Sequence, residues 1–392
     1  MTVFQQGIIS IIRAGISGDI ISLPDNFSAD NLDAFGKKHH ISSILLHGAL
    51  AVGLDSSHPA IRSLYVLSCK ELLLYEKQKA EAAALKAVLS SANIDYLFLK
   101  GSAINHIYPK PEMRVMSDMD LLIRCEQYPE IKQILSGTGY TEQDQSNHEY
   151  IWKTPGGLLV EFHKMLIPSY NEDYYSYFGD GWDKAQKSDD GGYCYSPEDN
   201  YIYLFTHFAK HYRDGGVGVK HLLDLWLFKN HYPLLDSLYI EKELEKLSLL
   251  SFYNNIQKVL GVWFESTQPD PITNLITSTI IKSGAYGTQE TRVSSSVLKY
   301  SKTKNPNNVK AKLLFQKLFP SSDVLSIKYT YLVKRKYLLP LAWLSRFFNL
   351  IFRKPSNIML HTNAIRLAST TSADDFEKKL RAVGLEFNFK EK

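Results

Sequence analysis

A seven-residue segment, Ser117 to Ile123, constrains the fold of this chain most strongly. It sets two aspartates around one apolar residue and then continues as an apolar run. Alternate residues of a strand point to the same side of a sheet, so Asp118 and Asp120 are predicted to face one spot while Met119 faces a core. Two carboxylates this close repel each other unless a cation lies between them. The pattern therefore predicts a strand that carries either a metal site or a solvated acidic end.

The ligand type indicates which metal would bind. Carboxylate oxygens suit Mg²⁺, which commonly takes one or two protein carboxylates and leaves positions for substrate phosphates. A third carboxylate, Glu161, lies in the later strand-like segment Leu158 to His163. Together with Asp118 and Asp120 it predicts a cluster for two divalent ions that hold the attacking and leaving oxygens of an in-line displacement.

The residues just before the acidic strand are typical of phosphate binding. A strand-like segment ends at Leu99 and is followed by Lys100, Gly101 and Ser102. Glycine lets a phosphate approach the backbone closely, because no Cβ stands in the way. Ser102 is predicted to open a short helix over Ala103 to Ile107, whose free N–H groups and positive end favour an anion.

Changes in composition along the chain predict three parts. Residues 1–92 have helical periodicity and include a long segment without Gly or internal Pro, Ala60 to Leu89, that is rich in Ala, Leu, Lys and Glu. Residues 93–196 mix strand and helix patterns, and residues 197–392 are mainly helical, with loops expected between short helices over 266–325. The predicted fold is therefore α+β, a small mixed β-sheet core flanked by N-terminal and C-terminal helical regions.

Local signals place several elements in the middle part. Pro155-Gly156-Gly157 lies between two strand-like segments, Tyr150 to Lys153 and Leu158 to His163, which predicts a β-hairpin. Tyr128 to Leu135 is predicted as a helix that ends near Gly137.

Global composition excludes several classes of protein. The formal net charge is +4 over 392 residues, without a dense basic block, which permits an anionic substrate but disfavours nucleic acid as a partner. Three scattered cysteines indicate a reducing compartment. The N-terminal residues lack the pattern of a signal peptide, and no apolar run of membrane-spanning length occurs. We therefore expect a cytoplasmic protein without a transmembrane segment.

These motifs together resemble the nucleotidyltransferase superfamily typified by DNA polymerase beta, and more narrowly its bacterial family of uncharacterised nucleotidyltransferases. The resemblance rests on Lys100-Gly101, on Arg114 to Leu122 and on Val160 to His163, which follow one another in the family's order. Two features depart from the pattern. Fifteen residues separate Ser102 from Asp118, slightly more than in the compact superfamily motif, and the third carboxylate is Glu161 where Asp is more usual.

The resemblance implies transfer of a nucleoside monophosphate from an NTP to a hydroxyl acceptor, which is a small molecule, a sugar or a protein. Asp118, Asp120 and Glu161 are the implied catalytic residues and ligands of two Mg²⁺ ions, with Mn²⁺ as an alternative, and Glu161 or Asp120 would accept the hydroxyl proton. The nucleotide-binding candidates are Lys100, Gly101, Ser102, Arg114 and Ser117. The competing interpretation is a catalytically inactive nucleotide-binding or regulatory module, such as a toxin–antitoxin component.

Histidines supply weaker signals. His163 shares a strand face with Glu161, so it either touches substrate or metal or forms a hydrogen bond at a domain seam. His207 and His211 are four residues apart and share a helix face, which makes them candidates for acceptor binding, for an interdomain contact or for simple packing. Lys220 and Asp224 have the same spacing and are interpreted as a surface ion pair.

A basic and aromatic stretch, residues 334–354, is the strongest feature outside the acidic motif. It is interpreted as a Pro-kinked helix packed on the body of the protein. Peripheral contact with a membrane surface or a partner is the alternative, because aromatic residues with flanking cations suit a membrane interface.

Overall fold

The fold is a mixed β-sheet embedded in helices, which confirms the predicted α+β class. The computed structural model describes residues 1–169, 171–189, 191–285, 331–353 and 370–386, with isolated positions between 287 and 329. The helices of the described residues are α1 (Val3–Ser17), α2 (Leu32–His39), α3 (Ser42–Ala51), α4 (Pro59–Ser91), α5 (Lys100–Ile104), α6 (Tyr128–Gly137), α7 (Glu172–Phe178), α8 (Pro197–Asp214), α9 (Val219–His231), α10 (Ser237–Lys246), α11 (Leu250–Phe264), α12 (Pro271–Ser283), α13 (Tyr331–Lys334), α14 (Leu339–Arg353) and α15 (Thr370–Ala382). The strands are β1 (Tyr96–Phe98), β2 (Asp118–Ile123), β3 (Thr141–Gln145), β4 (Glu149–Lys153), β5 (Leu159–His163), β6 (Gln186–Lys187) and β7 (Tyr193–Cys194).

The seven strands form one sheet in the order β3-β4-β5-β2-β1-β7-β6. The acidic strand β2 lies at its centre, parallel to β5 and antiparallel to β1. The predicted hairpin is present, since β4 and β5 pair antiparallel across the Pro-Gly-Gly turn. The central position of β2 surrounds the two aspartates with neighbouring strands on both sides.

The long predicted helix is α4, which runs from Pro59 to Ser91. It begins with proline in its first turn, where the missing N–H is not needed. The imidazole of His58 caps this end by accepting from the N–H of Ala60 at 3.2 Å. A strong helix-forming composition and an internal sequence free of Gly and Pro thus account for one uninterrupted element.

The sheet separates two environments. Apolar side chains on one of its faces pack with α4 and α6 into a core that includes Met119, Leu121 and Ile123 of β2 and Val160 and Phe162 of β5. A larger core joins the N-terminal helices, the middle part and the C-terminal helices. The opposite face of β2 carries the aspartates.

The N-terminal and C-terminal helical regions are in direct contact. The ring of His39, at the end of α2, lies 3.0 Å from the carbonyl oxygen of Ile281 through Nε2 and accepts the N–H of Val219 at 3.3 Å through Nδ1. The N–H of Ala285 donates to the carbonyl of Lys38 at 2.9 Å. The division of the chain into domains 1–92, 93–196 and 197–392 stays a prediction.

One local prediction is wrong. The short helix after β1 begins at Lys100, not at Ser102, because the N–H of Leu99 still binds the carbonyl of Asp120 and the chain then turns at Lys100, whose φ is 50°. Residues 271–283 form the helix α12, one of the short helices expected in this region. The polar run at 301–308 lies outside the described residues.

The basic and aromatic stretch includes α14, in which Pro340 occupies the first turn, where a missing N–H interrupts no hydrogen bond of the helix. Tyr337, Leu341 and Leu344 are exposed, and Ala342 is buried in a small cluster with Leu325 and others. Among the described residues no helix combines the length and hydrophobicity needed to cross a membrane. Peripheral contact through 334–354 stays a prediction.

Candidate active site

Strand register brings the acidic residues of two distant segments together. Asp120 of β2 pairs with Glu161 of β5, and Leu122 pairs with His163. Paired residues of neighbouring strands point to the same face, so Asp118, Asp120, Glu161 and His163 share one side of the sheet. The intervening residues Met119 and Val160 face the core, which fixes this orientation.

Three side chains of this face form a compact group. Nε2 of His163 lies 2.7 Å from Oδ1 of Asp120 and 3.7 Å from Oε2 of Glu161. Potential metal-ligand atoms of the three residues lie within 4.8 Å of one another. In the described part of the chain, this is the one group of three or more histidine, cysteine or acidic residues that is arranged in this way. His163 thus contacts Asp120 within the group that could hold a metal ion, and its contact with substrate or metal stays a prediction.

Lys100 supplies a positive charge to the group. Its Nζ lies 2.7 Å from Oδ1 of Asp120. Burial alone would raise the pKa of Asp120, but Lys100 and His163 together hold it below its usual range. Burial likewise opposes the charge on Lys100, and the Asp120 carboxylate outweighs it, so the pKa of this lysine is raised. Asp120 is therefore ionised and paired at neutral pH.

The other two carboxylates are held differently. Burial and the neighbouring charges of Asp120 and Asp118 raise the pKa of Glu161 to about 8. Asp118 is half-buried, and burial together with Asp120 raises its pKa. Its carboxylate is not part of the compact group. The structure thus brings Asp120 and Glu161 together and leaves Asp118 beside them, two residues earlier on the same strand face.

The residues of the predicted phosphate-binding turn, Gly101 and Ser102, pack against Met116. A Cβ on Gly101 would lie 2.8 Å from Cγ of Met116 and 3.2 Å from Nη1 of Arg114, so the glycine is needed for close packing of these side chains. The hydroxyl of Ser102 lies 3.4 Å from the sulfur of Met116 and lines a cavity that also includes Met119, on the core side of the sheet. Ser117 is exposed immediately before β2.

Arg114 forms an ion pair with Asp224, a residue that was not predicted to be its partner. Its Nε and Nη2 donate to the two carboxylate oxygens of Asp224 at 2.6 and 2.8 Å, and the hydroxyl of Tyr108 donates to the same carboxylate at 2.6 Å. Arg114 is 5% exposed and Asp224 3%. The structure therefore gives Arg114 a buried structural pair and not an open position for phosphate.

The interpretation of Lys220 and Asp224 as a surface ion pair is wrong, because both side chains are buried. Burial and the nearby Arg114 lower the pKa of Lys220 to about 8, although Asp224, Asp118 and Asp120 oppose the shift. Helix α9 thus brings a lysine and an aspartate into the interior next to β2. The spacing of the two residues was visible in the sequence, but their burial was not.

His207 and His211 lie together on α8, with their Nε2 atoms 3.0 Å apart. Burial and the charges of Lys100 and Lys210 keep the pKa of His211 near 3, so its ring is neutral at neutral pH. His221 of α9, which the sequence analysis did not single out, has its ring centroid about 6 Å from both rings. The pair is close enough to Lys100 to feel its charge, and its role in acceptor binding stays a prediction.

Comparison with known proteins identifies the family. The family model described as "Uncharacterised nucleotidyltransferase" matches residues 25–265. This range covers more than half of the chain and includes every candidate site residue named above. A search of curated proteins gives no match.

One solved structure is similar to part of the chain. It is the solution structure of the antibiotic-resistance factor ANT(2'')-Ia, described as revealing substrate-regulated conformation dynamics. The two chains are 14% identical, and the match covers 48% of this chain and 97% of the other with a TM-score of 0.33.

Proposed function

Because this chain belongs to the uncharacterised nucleotidyltransferase family, we propose that it moves a nucleoside monophosphate from an NTP to the hydroxyl group of an acceptor. The acceptor class is a small molecule, a sugar or a protein. The observation that carries the proposal is the group formed by Asp120, Glu161 and His163 on one face of β2 and β5, with Asp118 adjacent.

The residues of this group fit a divalent cation. Their donor atoms are two carboxylate oxygens and one imidazole nitrogen within 4.8 Å of one another, a set that suits Mn²⁺ as well as the oxygen-preferring Mg²⁺. Asp120 and Glu161 would hold one ion, and Asp118 would contribute to a second. When bound, such ions neutralise phosphate oxygens and make the α-phosphate a better electrophile.

The protein's own side chains would position the reactants and move the proton. Asp120 already accepts from Lys100 and His163 through Oδ1, so Glu161 in its ionised form is better placed to accept the proton of the acceptor hydroxyl, and its raised pKa makes that form a stronger base than Asp120. The hydroxyl oxygen then attacks the α-phosphate, and the bond to pyrophosphate breaks. The positive charge of Lys100 stabilises negative charge that develops on the phosphate, since phosphoryl transfer depends mainly on positioning and electrostatics.

A nucleotide-binding or regulatory module without catalytic activity is the second candidate, and the Lys100–Asp120 ion pair favours it. The ammonium group already balances the charge of the carboxylate at 2.7 Å, which lets the fold keep Asp120 without a metal ion. The two candidates differ in whether a divalent cation and turnover accompany nucleotide binding.

Transfer of label from NTPs labelled at the α-phosphate tests the proposal. Each of the four NTPs is incubated with the protein, Mg²⁺ or Mn²⁺, and a cell extract as the source of acceptors. We expect metal-dependent label on one acceptor class, and its loss in the double variant Asp118→Asn/Asp120→Asn. Asp144→Asn, an exposed position on β3, is the matched control and should keep wild-type transfer.

The outcomes separate the two candidates. NTP binding without transfer, in wild-type protein with every NTP and both metals, supports the inactive module and contradicts the enzyme. Equal transfer by the double variant and the wild type contradicts the assignment of the carboxylates. Thermal unfolding of both variants shows whether loss of transfer reflects chemistry or loss of fold.

A further inference from the structure

The outward side of α4 carries a continuous apolar stripe that the proposed function does not use. We define the α4 stripe as Arg62, Tyr65, Val66, Cys69, Leu72, Leu73 and Glu76. At 3.6 residues per turn these seven positions lie within about 60° on either side of Cys69. The apolar members are exposed by 62% at Tyr65, 53% at Val66, 43% at Leu72 and 71% at Leu73.

The opposite side of the same helix holds it to the body. Leu64, Glu71 and Gln78 are buried there. Glu71 accepts the backbone N–H groups of Ser42 and Ser43, which begin α3. The orientation of α4 is therefore fixed, and the stripe faces outward as a rigid surface. A contiguous apolar surface of this kind marks an interaction site more often than isolated exposed residues do.

The order of residues in the stripe is complementary to itself when two copies run antiparallel. With Cys69 on the twofold axis, Tyr65 packs beside Leu72 of the second helix and Val66 beside its Leu73, because the twofold axis keeps each residue on its own side of the stripe. Arg62 then meets Glu76, and symmetry repeats this ion pair at the other end. A parallel arrangement would set Arg62 against Arg62 and Glu76 against Glu76, which is repulsive. An isologous contact with these features needs no other partner.

We propose that the α4 stripe is the dimer interface between two antiparallel copies of this chain, with the Cys69 side chains facing each other across the twofold axis. The stripe spans about 21 Å at 1.5 Å per residue. This length is small beside the interfaces of tight dimers, so the dimer is a weak one that forms at micromolar and higher concentration. The proposal is independent of the proposed enzymatic activity.

Disulfide cross-linking tests the geometry directly. The described cysteines are all exposed, so the full chain is first changed to Cys125→Ser/Cys194→Ser, which leaves Cys69 as its one thiol. Mild oxidation with copper phenanthroline should then give a covalent dimer on non-reducing gels. The yield should rise with protein concentration, since the contact is between two molecules. Cys69→Ser in the same background is the negative control and should give no covalent dimer.

Substitutions of the apolar and the charged residues of the stripe test the contacts. Leu73→Glu, at an exposed position that the fold does not need, should reduce cross-linking at least tenfold, whereas Leu238→Glu, 80% exposed on α10, should leave it unchanged. Arg62→Glu should weaken the dimer, and Arg62→Glu/Glu76→Arg should restore it. Sedimentation velocity on the uncross-linked proteins should rank the variants in the same order of dimer affinity.

Three results would each overturn the proposal. The first is a monomer at every concentration up to hundreds of micromolar with no Cys69 cross-link. The second is a dimer that persists unchanged in Leu73→Glu. The third is failure of the charge-swapped double variant to bind better than Arg62→Glu alone.

Discussion

The ammonium group of Lys100 lies 2.7 Å from Oδ1 of Asp120, so a lysine at the start of α5 and an aspartate of β2 neutralise each other inside the candidate site. Lys100 lies two residues after the end of β1, and β1 pairs antiparallel with β2. The ion pair occupies the same carboxylate oxygen that His163 contacts. A metal ion that binds Asp120 therefore competes with a cation that belongs to the protein.

Lys100→Met should make this competition measurable. The change leaves Asp120 buried without its ammonium partner, and loss of one member of a buried ion pair lowers the free energy of unfolding by about 3 kcal/mol. Mn²⁺ should restore part of the loss by binding the folded state. Urea unfolding with and without Mn²⁺ measures both effects. Lys79→Met, an exposed lysine of α4, is the control, and an equal response of both variants to Mn²⁺ would refute the competition.

The effects of replacing Arg114 and Asp224 on the free energy of unfolding should not be additive, because replacing Arg114 alone leaves Asp224 buried without its partner. Arg114→Met leaves a buried carboxylate with Tyr108 as its hydrogen-bond donor, which should cost about 3–5 kcal/mol of unfolding free energy. Arg114→Met/Asp224→Leu should cost clearly less than the sum of the single changes. Arg124→Met breaks a half-exposed pair with Asp95 and should cost about 1 kcal/mol or less. Additive single and double effects in denaturant titrations would contradict the pairing.

His39 should make stability depend on pH. Burial, followed by the charges of Lys38 and His40, lowers the pKa of this histidine from 6.5 to about 4, despite its hydrogen bond with Ile281. The folded state therefore favours the neutral ring. Its contribution is complete above pH 6.5 and is lost as the pH falls towards 4, by about 3 kcal/mol in all.

The checking measurement is urea unfolding at pH 7 and pH 5 for wild type and His39→Gln. The glutamine keeps one donor and one acceptor but does not titrate in this range. The variant should lose less stability between the two pH values than the wild type does. An identical loss would show that other groups set the pH dependence.

Glu71→Ala should destabilise the packing of α3 on α4. The carboxylate accepts the N–H groups of Ser42 and Ser43 at 3.1 and 2.7 Å, which are among the unsatisfied donors of the first turn of α3. We expect a loss of about 2 kcal/mol of unfolding free energy. Glu76→Ala on the exposed side of the same helix, measured in dilute protein, should change stability by less than about 0.5 kcal/mol.

Short-range patterns in the sequence were enough to predict the acidic strand. Alternation of Asp118, Met119 and Asp120 determines which side chains face the core, and this rule depends only on neighbouring residues. The hairpin turn at Pro155-Gly156-Gly157 has the same local character. The order of the motifs predicted that Glu161 joins Asp118 and Asp120, but the parallel pairing of β2 with β5 that brings Glu161 beside Asp120 was not predicted.

Long-range partners could not be predicted in the same way. Arg114 and Asp224 are 110 residues apart, and no periodicity links them. Arg114 was expected at the phosphates because its neighbours in sequence belong to the acidic motif. The side chain of Ser102 points to the core side because α5 begins at Lys100. The backbone of Lys100 has a φ of 50°, a conformation that a lysine rarely adopts.

The parallel register of β2 and β5 has a consequence for how this site can fail. A slip of one residue would turn Val160 and Phe162 towards the aspartates and push Glu161 and His163 into the core. Substitutions among the apolar residues on the far face of these strands can therefore abolish the carboxylate group without touching it. Burial of Val160 and Phe162 on one face of the sheet therefore sets the register that places Glu161 and His163 on the other face.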